Sequence, residues 1–304
     1  MPKLKRDSEP LNSTLGGHGG YMEKNLKKYF AFFALPTLIA FTIAFLIPFI
    51  MGVYLSFTEF DTISETTWVG FSNFGRAFEE GSDFLSAIIF TSKFAVVSVI
   101  TINVLAFVVA LLLTKGIRGT NFFRTVFFMP NLIGGIVLGY IWQIVINGFL
   151  AHFFGVDITF DAKYGFWGLI LVMGWQLGGY MMIIYIAGLQ SIPEELVEAA
   201  KIDGASSLQL LFRITVPLVM PAITICTFLT LTNSFKLFDQ NLSLTAGAPE
   251  NSTKMMALDI FKTFYSGNVG YGGVGQAKAV IFFIMIAVIG FIQLHLTRSR
   301  EVQQ

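Results

Sequence analysis

Long apolar runs separated by short polar stretches set the pattern of this chain. A helix needs roughly 20 mostly apolar residues to cross a bilayer core about 30 Å thick. Six runs meet that need, at about 30–56, 86–114, 123–147, 166–190, 217–238 and 277–297. All are apolar on most of their surface, as lipid-facing or bundle-buried helices must be. In lipid the backbone has to satisfy its own hydrogen bonds, so runs of this length predict helices. The alternating pattern of a membrane barrel is absent. Residues 1–28 are polar and basic, and the run that follows is too long for a signal peptide and lacks a clear small-residue cleavage site. It predicts a retained first span behind a separate N-terminal tail, with one membrane domain over 29–304.

Composition agrees. The chain is 54% hydrophobic and 13% charged, where a soluble domain carries about 25% charged residues. A net charge of +1 gives no electrostatic basis for a nucleic-acid partner. The single cysteine, Cys226, lies in an apolar run and can form neither an internal disulfide nor a thiolate metal site. It reads as a small buried hydrophobe.

Charge also predicts orientation, because Lys and Arg favour the cytoplasmic side. Lys3, Lys5, Arg6, Lys24, Lys27 and Lys28 precede span one, Lys115, Arg118 and Arg124 separate spans two and three, and Arg298 and Arg300 follow span six. The loop after span one is acidic, with Glu59, Asp61, Glu65, Glu79, Glu80 and Asp83 against Arg76. The loop after span three has Asp157 and Asp161 with Lys163. Both termini and the loop at about 191–216 are therefore expected in the cytoplasm.

Catalytic signatures are missing. No G-x-x-x-x-G-K-[ST] phosphate loop occurs, so the chain is not expected to hydrolyse ATP itself. Gly270, Gly272 and Gly275 fit G-x-G-x-x-G but lack a βαβ context and read as a glycine-rich outer loop. His18, His152 and His295 are scattered, and no Cys/His cluster suggests zinc. Asn12 and Asn251 fit a glycosylation pattern that is common by chance. No catalytic residue, metal or bound cofactor is expected.

The most informative stretch runs from Pro193 to Pro221. Ser191 and Glu194 fit a capping box, with Pro193 in the first helical turn. Ile192, Leu196, Ala199 and Ala200 share one face, and Glu194, Glu195 and Glu198 suit the helix N-terminus. Asp203-Gly204 signals a turn, and Leu208, Leu211, Phe212 and Thr215 mark a second short amphipathic helix. By pattern alone this is a helix–turn–helix on the cytoplasmic face, and one that merely seals the bundle would look the same.

Glu198-Ala199-Ala200, three residues, Gly204, nine residues, Ile214, one residue and Val216-Pro217 resembles the signature loop of permeases in binding-protein-dependent ABC importers. The family usually has Leu-Pro where Val216-Pro217 stands. Ile192-Pro193-Glu194-Glu195, Ile202-Asp203-Gly204-Ala205 and Pro217 with Pro221 are similar to its carbohydrate-uptake class. Val69–Phe74, Arg118-Gly119 with Phe123-Arg124 and Met129-Pro130, Ala187–Gln190, and Leu244–Pro249 with Thr253 resemble further family segments, over about residues 30 to 297. Ala246 and Ala248 depart from the usual small-residue pattern there.

The resemblance implies an all-α membrane protein, a six-helix type I importer bundle, multi-pass in the bacterial inner membrane. It implies an ATPase-coupling role for Glu194, Glu195, Glu198, Ala199, Ala200, Asp203, Gly204 and Ala205. It also implies a second permease subunit, a homologous partner chain, together with two ATPase subunits that carry ATP and Mg, and an extracytoplasmic sugar-binding protein. The implied function is uptake of a sugar, an oligosaccharide by preference. A permease for polyols, glycerol phosphoesters or amino acids, and an ATP-independent carrier or channel, remain the alternatives.

Polar residues within spans are costly and mark candidate pathway positions. Tyr140, Gln143 and Asn147 share a face of span three, Trp175, Gln176 and Tyr180 lie midway in span four, and Asn233, Lys236 and Gln240 end span five. Amides suit sugar hydroxyls and rings suit pyranose faces, but interhelical hydrogen bonding asks for the same residues. Lys93 reads as snorkelling to the interface.

Overall fold

The computed structural model describes residues 29, 32–62, 65–79, 81–116, 118–267 and 270–298. The basic tail 1–28, Glu80, Arg300 and the side chains of Asp61 and Glu65, which carry part of the charge pattern, lie outside the described residues. The chain divides into two units, one ending at Tyr54 and one beginning at Leu55.

The described part of the first unit is mostly helix α1, Leu35–Leu55, which reaches one residue past it. It opens with Pro36 in its first turn, where a missing N–H costs nothing. Thr42–Leu46 widens into a π-turn, closed by the Ile47 amide bonding to the Thr42 carbonyl five residues back. Pro48 follows at once. Its ring clashes with the carbonyl four residues earlier, and the wider turn relieves that clash. The same arrangement recurs before Pro217: Leu211–Thr215 is a π-turn in which the Val216 amide bonds to the Leu211 carbonyl.

The second unit begins with an antiparallel hairpin, β1 Thr58–Thr62 and β2 Glu65–Trp68, and the short helix α2 Ser72–Arg76. The expected all-helical chain thus carries one small sheet, in a stretch with too few apolar residues to signal it. Asn73 stitches it down, donating to the carbonyls of Ser56 at 3.0 Å and Thr58 at 2.8 Å.

The bundle follows. Helix α3 is Phe84–Leu113, α4 is Thr120–Phe128, α5 is Gly135–Phe154 and α6 is Ala162–Gln190. Helix α7 is Glu194–Ile202, α8 is Ser207–Leu218 and α9 is Met220–Phe235. Helices α10 Asp239–Leu244, α11 Met256–Phe264 and α12 Tyr271–Arg298 complete it. Among the described residues five helices are long and apolar enough to span a bilayer, and α8 with α9, bent by 70° at Val219, makes a sixth if the pair is counted as one span. Five of the expected spans are thus present with altered limits, and the fifth in chain order falls on this bent pair.

Three of those limits change the chemistry. Span three is not one helix over 123–147: a 3-10 turn at Met129–Leu132 and extended residues Ile133 and Gly134 interrupt it. Pro130 withholds a donor and Gly134 accepts the extended geometry. Span five does not run unbroken to 238, because α9 ends at Phe235 and α10 starts at Asp239. The last helix starts at Tyr271, so Gly272, Gly273 and Gly275 are helical positions and not loop. A Cβ on Gly273 would overlap the Thr58 carbonyl, and one on Gly272 would meet the Phe60 ring at 2.8 Å. These glycines let α12 lie against the hairpin.

One hydrophobic core joins α3, α6 and α9, built on Phe94, Ile102, Leu169, Met181, Tyr185 and Cys226. Tyr185 donates to Asn103 at 2.8 Å, and Asn103 donates to Thr230 at 3.2 Å. Helix α4 crosses α6 at Gly179, where a Cβ would overlap the Phe127 carbonyl, while Gly178 faces open space. At the end where α3 and α12 begin, four charges form a chain. Lys278 bonds Asp259, Asp259 bonds Lys254 and Lys254 bonds Asp83, each at 2.8 Å. Burial pulls the Lys254 ammonium down, but the bonds and charges of Asp259 and Asp83 outweigh it and hold it above the usual lysine range.

Gly179→Ala is expected to lose about 1–3 kcal/mol to overpacking, whereas Gly178→Ala should lose nothing. Thermal melts of the two purified variants check the contrast.

Candidate functional site

Helix α6 has 29 residues and is roughly 43 Å long at about 1.5 Å per residue. Gln176 is its midpoint. Both helix interruptions meet there. The first frees the Ile133 carbonyl, and Gln176 Nε2 donates to it at 2.9 Å. The second brings α10 beside α5, and Gln240 Nε2 donates to Gln176 Oε1. Gln176 is thus half-buried with both ends of its amide occupied by the two breaks.

A cavity of about 320 Å³ opens between them. Asn131, Gln176, Asn233, Lys236, Asp239 and Gln240 supply its polar wall, with Met173, Leu177, Leu237 and Phe238. Non-helical backbone at this depth is tolerated where it is buried in protein or lines a cavity. Gly135 makes the fit possible, because a Cβ there would stand 2.7 Å from Asp239 Cβ. Further along, a Cβ on Gly139 would overlap the Ser243 hydroxyl, and Gln143 Nε2 donates to the Leu244 carbonyl at 2.9 Å.

Of the pathway candidates, Gln176, Asn233 and Lys236 come together on this cavity, with Gln240 beside them. Asn233 bonds its own helix at the Leu229 carbonyl, 2.8 Å away, and is exposed. Gln143 and Asn147 are spent on the fold, since Asn147 Oδ1 accepts from the Ile158 amide at 2.9 Å. Tyr140 is exposed and off the cavity wall. Trp175 turns away to an edge contact with Trp142 at 5.5 Å between ring centroids, and Tyr180 packs near Phe128. Lys93 is exposed on α3. Asn131 and Asp239 were not singled out from sequence. Asn131 stands directly after Pro130, and a polar residue beside a proline within an apolar run was the available signal.

The loop at the far end of α6 is built from two short helices. The Ser191–Glu194 capping box does not form: Ser191 bonds back to the Gly188 carbonyl at 2.8 Å, and extended Pro193 occupies the cap position of α7. The capping box lies instead at α8, where Ser206 and Gln209 bond each other's backbone amides. Glu194, Glu195, Glu198 and Ala199 are exposed and Ala200 is buried. Leu196 also faces outward, so the inward face is narrower than helical spacing predicts. Helix α7 ends in a glycine cap. The Gly204 amide bonds to the Lys201 carbonyl at 3.1 Å and the Ala205 amide to the Ala200 carbonyl at 3.0 Å. Gly204 has φ +79°, and Asp203 precedes it in the turn. Around it Ile202 is 86% exposed, Leu208 67% and Phe212 65%.

A family model described as binding-protein-dependent transport system inner membrane component matches residues 103–302. The chain is 47% identical over 292 residues to the probable starch degradation products transport system permease protein AmyD of Thermoanaerobacterium thermosulfurigenes, covering 92% of this chain and 97% of that one. It is 32% identical over 292 residues to the multiple sugar-binding transport system permease protein MsmF of Streptococcus mutans, covering 92% and 99%. Its fold is similar to a chain of a bacterial ABC transporter involved in the import of the acidic polysaccharide alginate. That match has a TM-score of 0.77 at 21% identity and covers 92% of this chain and 99% of that one.

Gln176→Leu is expected to leave the Ile133 carbonyl and Gln240 amide unpaired and to cost about 1–3 kcal/mol. Asn233→Ala should leave the melting temperature nearly unchanged. Unfolding of both variants in detergent measures the difference.

Proposed function

The chain belongs to the family of inner-membrane components of binding-protein-dependent transport systems, and we propose that it forms half of the translocation pathway of an ATP-driven sugar importer. The observation that carries this reading is the mid-span cavity where two broken helices meet at Gln176. Its wall is rich in amides, which can donate to and accept from hydroxyl groups. Lys236 and Asp239 contribute one charge of each sign. That balance favours a neutral sugar over a phosphate ester, which asks for net positive charge. The names of the relatives favour oligosaccharides, and the substrate follows from that kinship together with the amide wall.

The other half of the pathway would be a second, homologous permease chain. Two ATPase subunits would hold ATP and Mg, and an extracytoplasmic binding protein would deliver the sugar. The exposed patch of Ile202, Leu208 and Phe212, with the acidic edge of Glu194, Glu195 and Glu198, would be the docking face for an ATPase subunit. Both termini and this loop would then be cytoplasmic, in keeping with Arg213 and Lys201 beside it. Closure of the ATPases would shift α7 and α8 as a unit, a rigid-body switch of the kind that alternates access.

Gly204→Val tests the coupling role. A β-branched residue at positive φ is strained by at least about 1–2 kcal/mol, roughly a tenfold change in any balance that depends on it. A Cβ there meets no neighbour, so insertion and assembly should survive. Uptake of labelled maltooligosaccharide into vesicles holding the assembled transporter should fall about tenfold or more, with ATP hydrolysis no longer stimulated by the loaded binding protein. Unchanged uptake would remove the coupling role, and uptake that persists without ATP would remove the importer reading.

A further inference from the structure

We propose that Asp83 is a two-position latch. In the arrangement described here it ties the tip of the 245–255 loop to the start of α3, and it frees that tip by turning back to cap its own helix. The inference rests on the importer reading only for the event that opens the latch.

Asp83 occupies the position just before α3. An aspartate there normally accepts from the amide of the second or third helical residue, Leu85 or Ser86 in this helix. It makes no such bond. Its Oδ2 accepts from Lys254 Nζ at 2.8 Å and from Asn251 Nδ2 at 3.0 Å. Ser82 covers the Phe84 amide instead, at 3.3 Å. A carboxylate favoured by the helix dipole has therefore been drawn away from its own helix.

The chain of charges is built so that this one link can open. Asp83 has a side chain 40% exposed, against 7% for Lys254 and 3% for Asp259. If Asp83 leaves, Lys254 keeps Asp259 at 2.8 Å, and Asp259 keeps Lys278. Each lysine then keeps one carboxylate partner, so neither is left wholly unpaired, and the remaining positive charge is shared through Asp259. Asp83 in turn would gain the first-turn amides of α3 once its backbone, here at φ −78° and ψ 1°, turns to the extended geometry of a capping residue. Both positions are fully bonded, so contacts made by the loop decide between them.

The loop is suited to such control. Its two sides are fixed through Asn241, which donates to the Thr253 carbonyl at 2.8 Å and accepts from the Met255 amide at 2.9 Å. The tip bonds locally, Ser252 to Pro249 and Lys254 to Asn251. Glu250 and Asn251 hold positive φ, of 47° and 63°. The Asn251–Asp83 bond ties this tip to another element. Beneath the latch lies a cavity of about 510 Å³, lined in part by Arg76, Lys262 and Tyr271, whose rim includes Asp83 and Asn251.

Hydrogen exchange on the assembled complex in nanodiscs tests the latch. Asp83→Ser can still cap α3 but cannot reach Lys254. It should raise exchange in 249–254 several-fold without lowering the melting temperature, whereas Asp83→Ala, which loses both bonds, should lower it. Trapping the wild-type complex with ATP and vanadate should speed exchange in 249–254 and slow it at 84–87. In a protein with Cys226 replaced by Ala, a short bismaleimide joining D83C to N251C should reduce uptake to background, while the unjoined variant transports. Equal behaviour of the Ser and Ala variants, no reciprocal change on trapping, or full uptake by the joined protein would each overturn the latch. A wild-type complex that takes up no sugar would count against the importer reading, and the Ser and Ala comparison would still decide the latch.

Discussion

Everything in this bundle answers to one constraint: a peptide group in a bilayer must find its hydrogen bond within the protein. Two helices nonetheless break in mid-membrane, at 129–134 and 236–238. The Gln176 amide makes this affordable. It donates to the carbonyl that the first break exposes and accepts from the helix that follows the second. A single amide has both a donor and an acceptor, on separate atoms, so it can join two breaks where a carboxylate, which only accepts, could not. The cavity is a consequence: where two helices part at the same depth, polar side chains line a space that neither lipid nor packed core fills.

The same need explains the prolines. Pro48 and Pro217 each follow a π-turn by two residues or fewer, and in both cases an amide reaches back five residues, leaving room for the ring. Val219, one residue beyond α8, turns the chain by 70° before Pro221 opens α9. A proline without N–H cannot continue the ladder from α8 into α9. Helix α8 therefore meets the span at a bend of 70° and not as continuous helix.

Much of this was legible in the sequence, and the exceptions have physical causes. Run length identified the spans because hydropathy sums over many residues. The turn at Asp203-Gly204 was legible because one glycine at positive φ suffices to end a helix. The Ser191 cap failed because Pro193 holds the cap position extended, and Ser206 with Gln209 made the same motif at the start of the next helix. The breaks were hidden because apolar residues flank them on both sides, so hydropathy reads straight through. Nothing in the sequence shows what Gly135 and Gly139 pack against, because their neighbour is α10, an element too short to predict. The charge chain of Asp83, Lys254, Asp259 and Lys278 was invisible for another reason: its partners lie up to 195 positions apart in sequence and meet only in three dimensions.

Helix α9 connects the two regions that matter. Its first turn adjoins the hinge at Val219 and its last turn adjoins the break at Lys236. Between them it is held at one level by the Asn103–Thr230 bond, itself braced by Tyr185, and by Cys226 donating to the Met181 carbonyl at 3.7 Å. A rod held near its middle and jointed at both ends transmits displacement as rotation. In the proposed importer, movement of α8 at one end would reappear at Asn233 and Lys236 at the other, where the cavity wall is exposed and not packed. The geometry that satisfies the backbone in lipid would then also carry motion to the cavity, and the core contacts of α9 with α3 and α6 would set where the rod pivots.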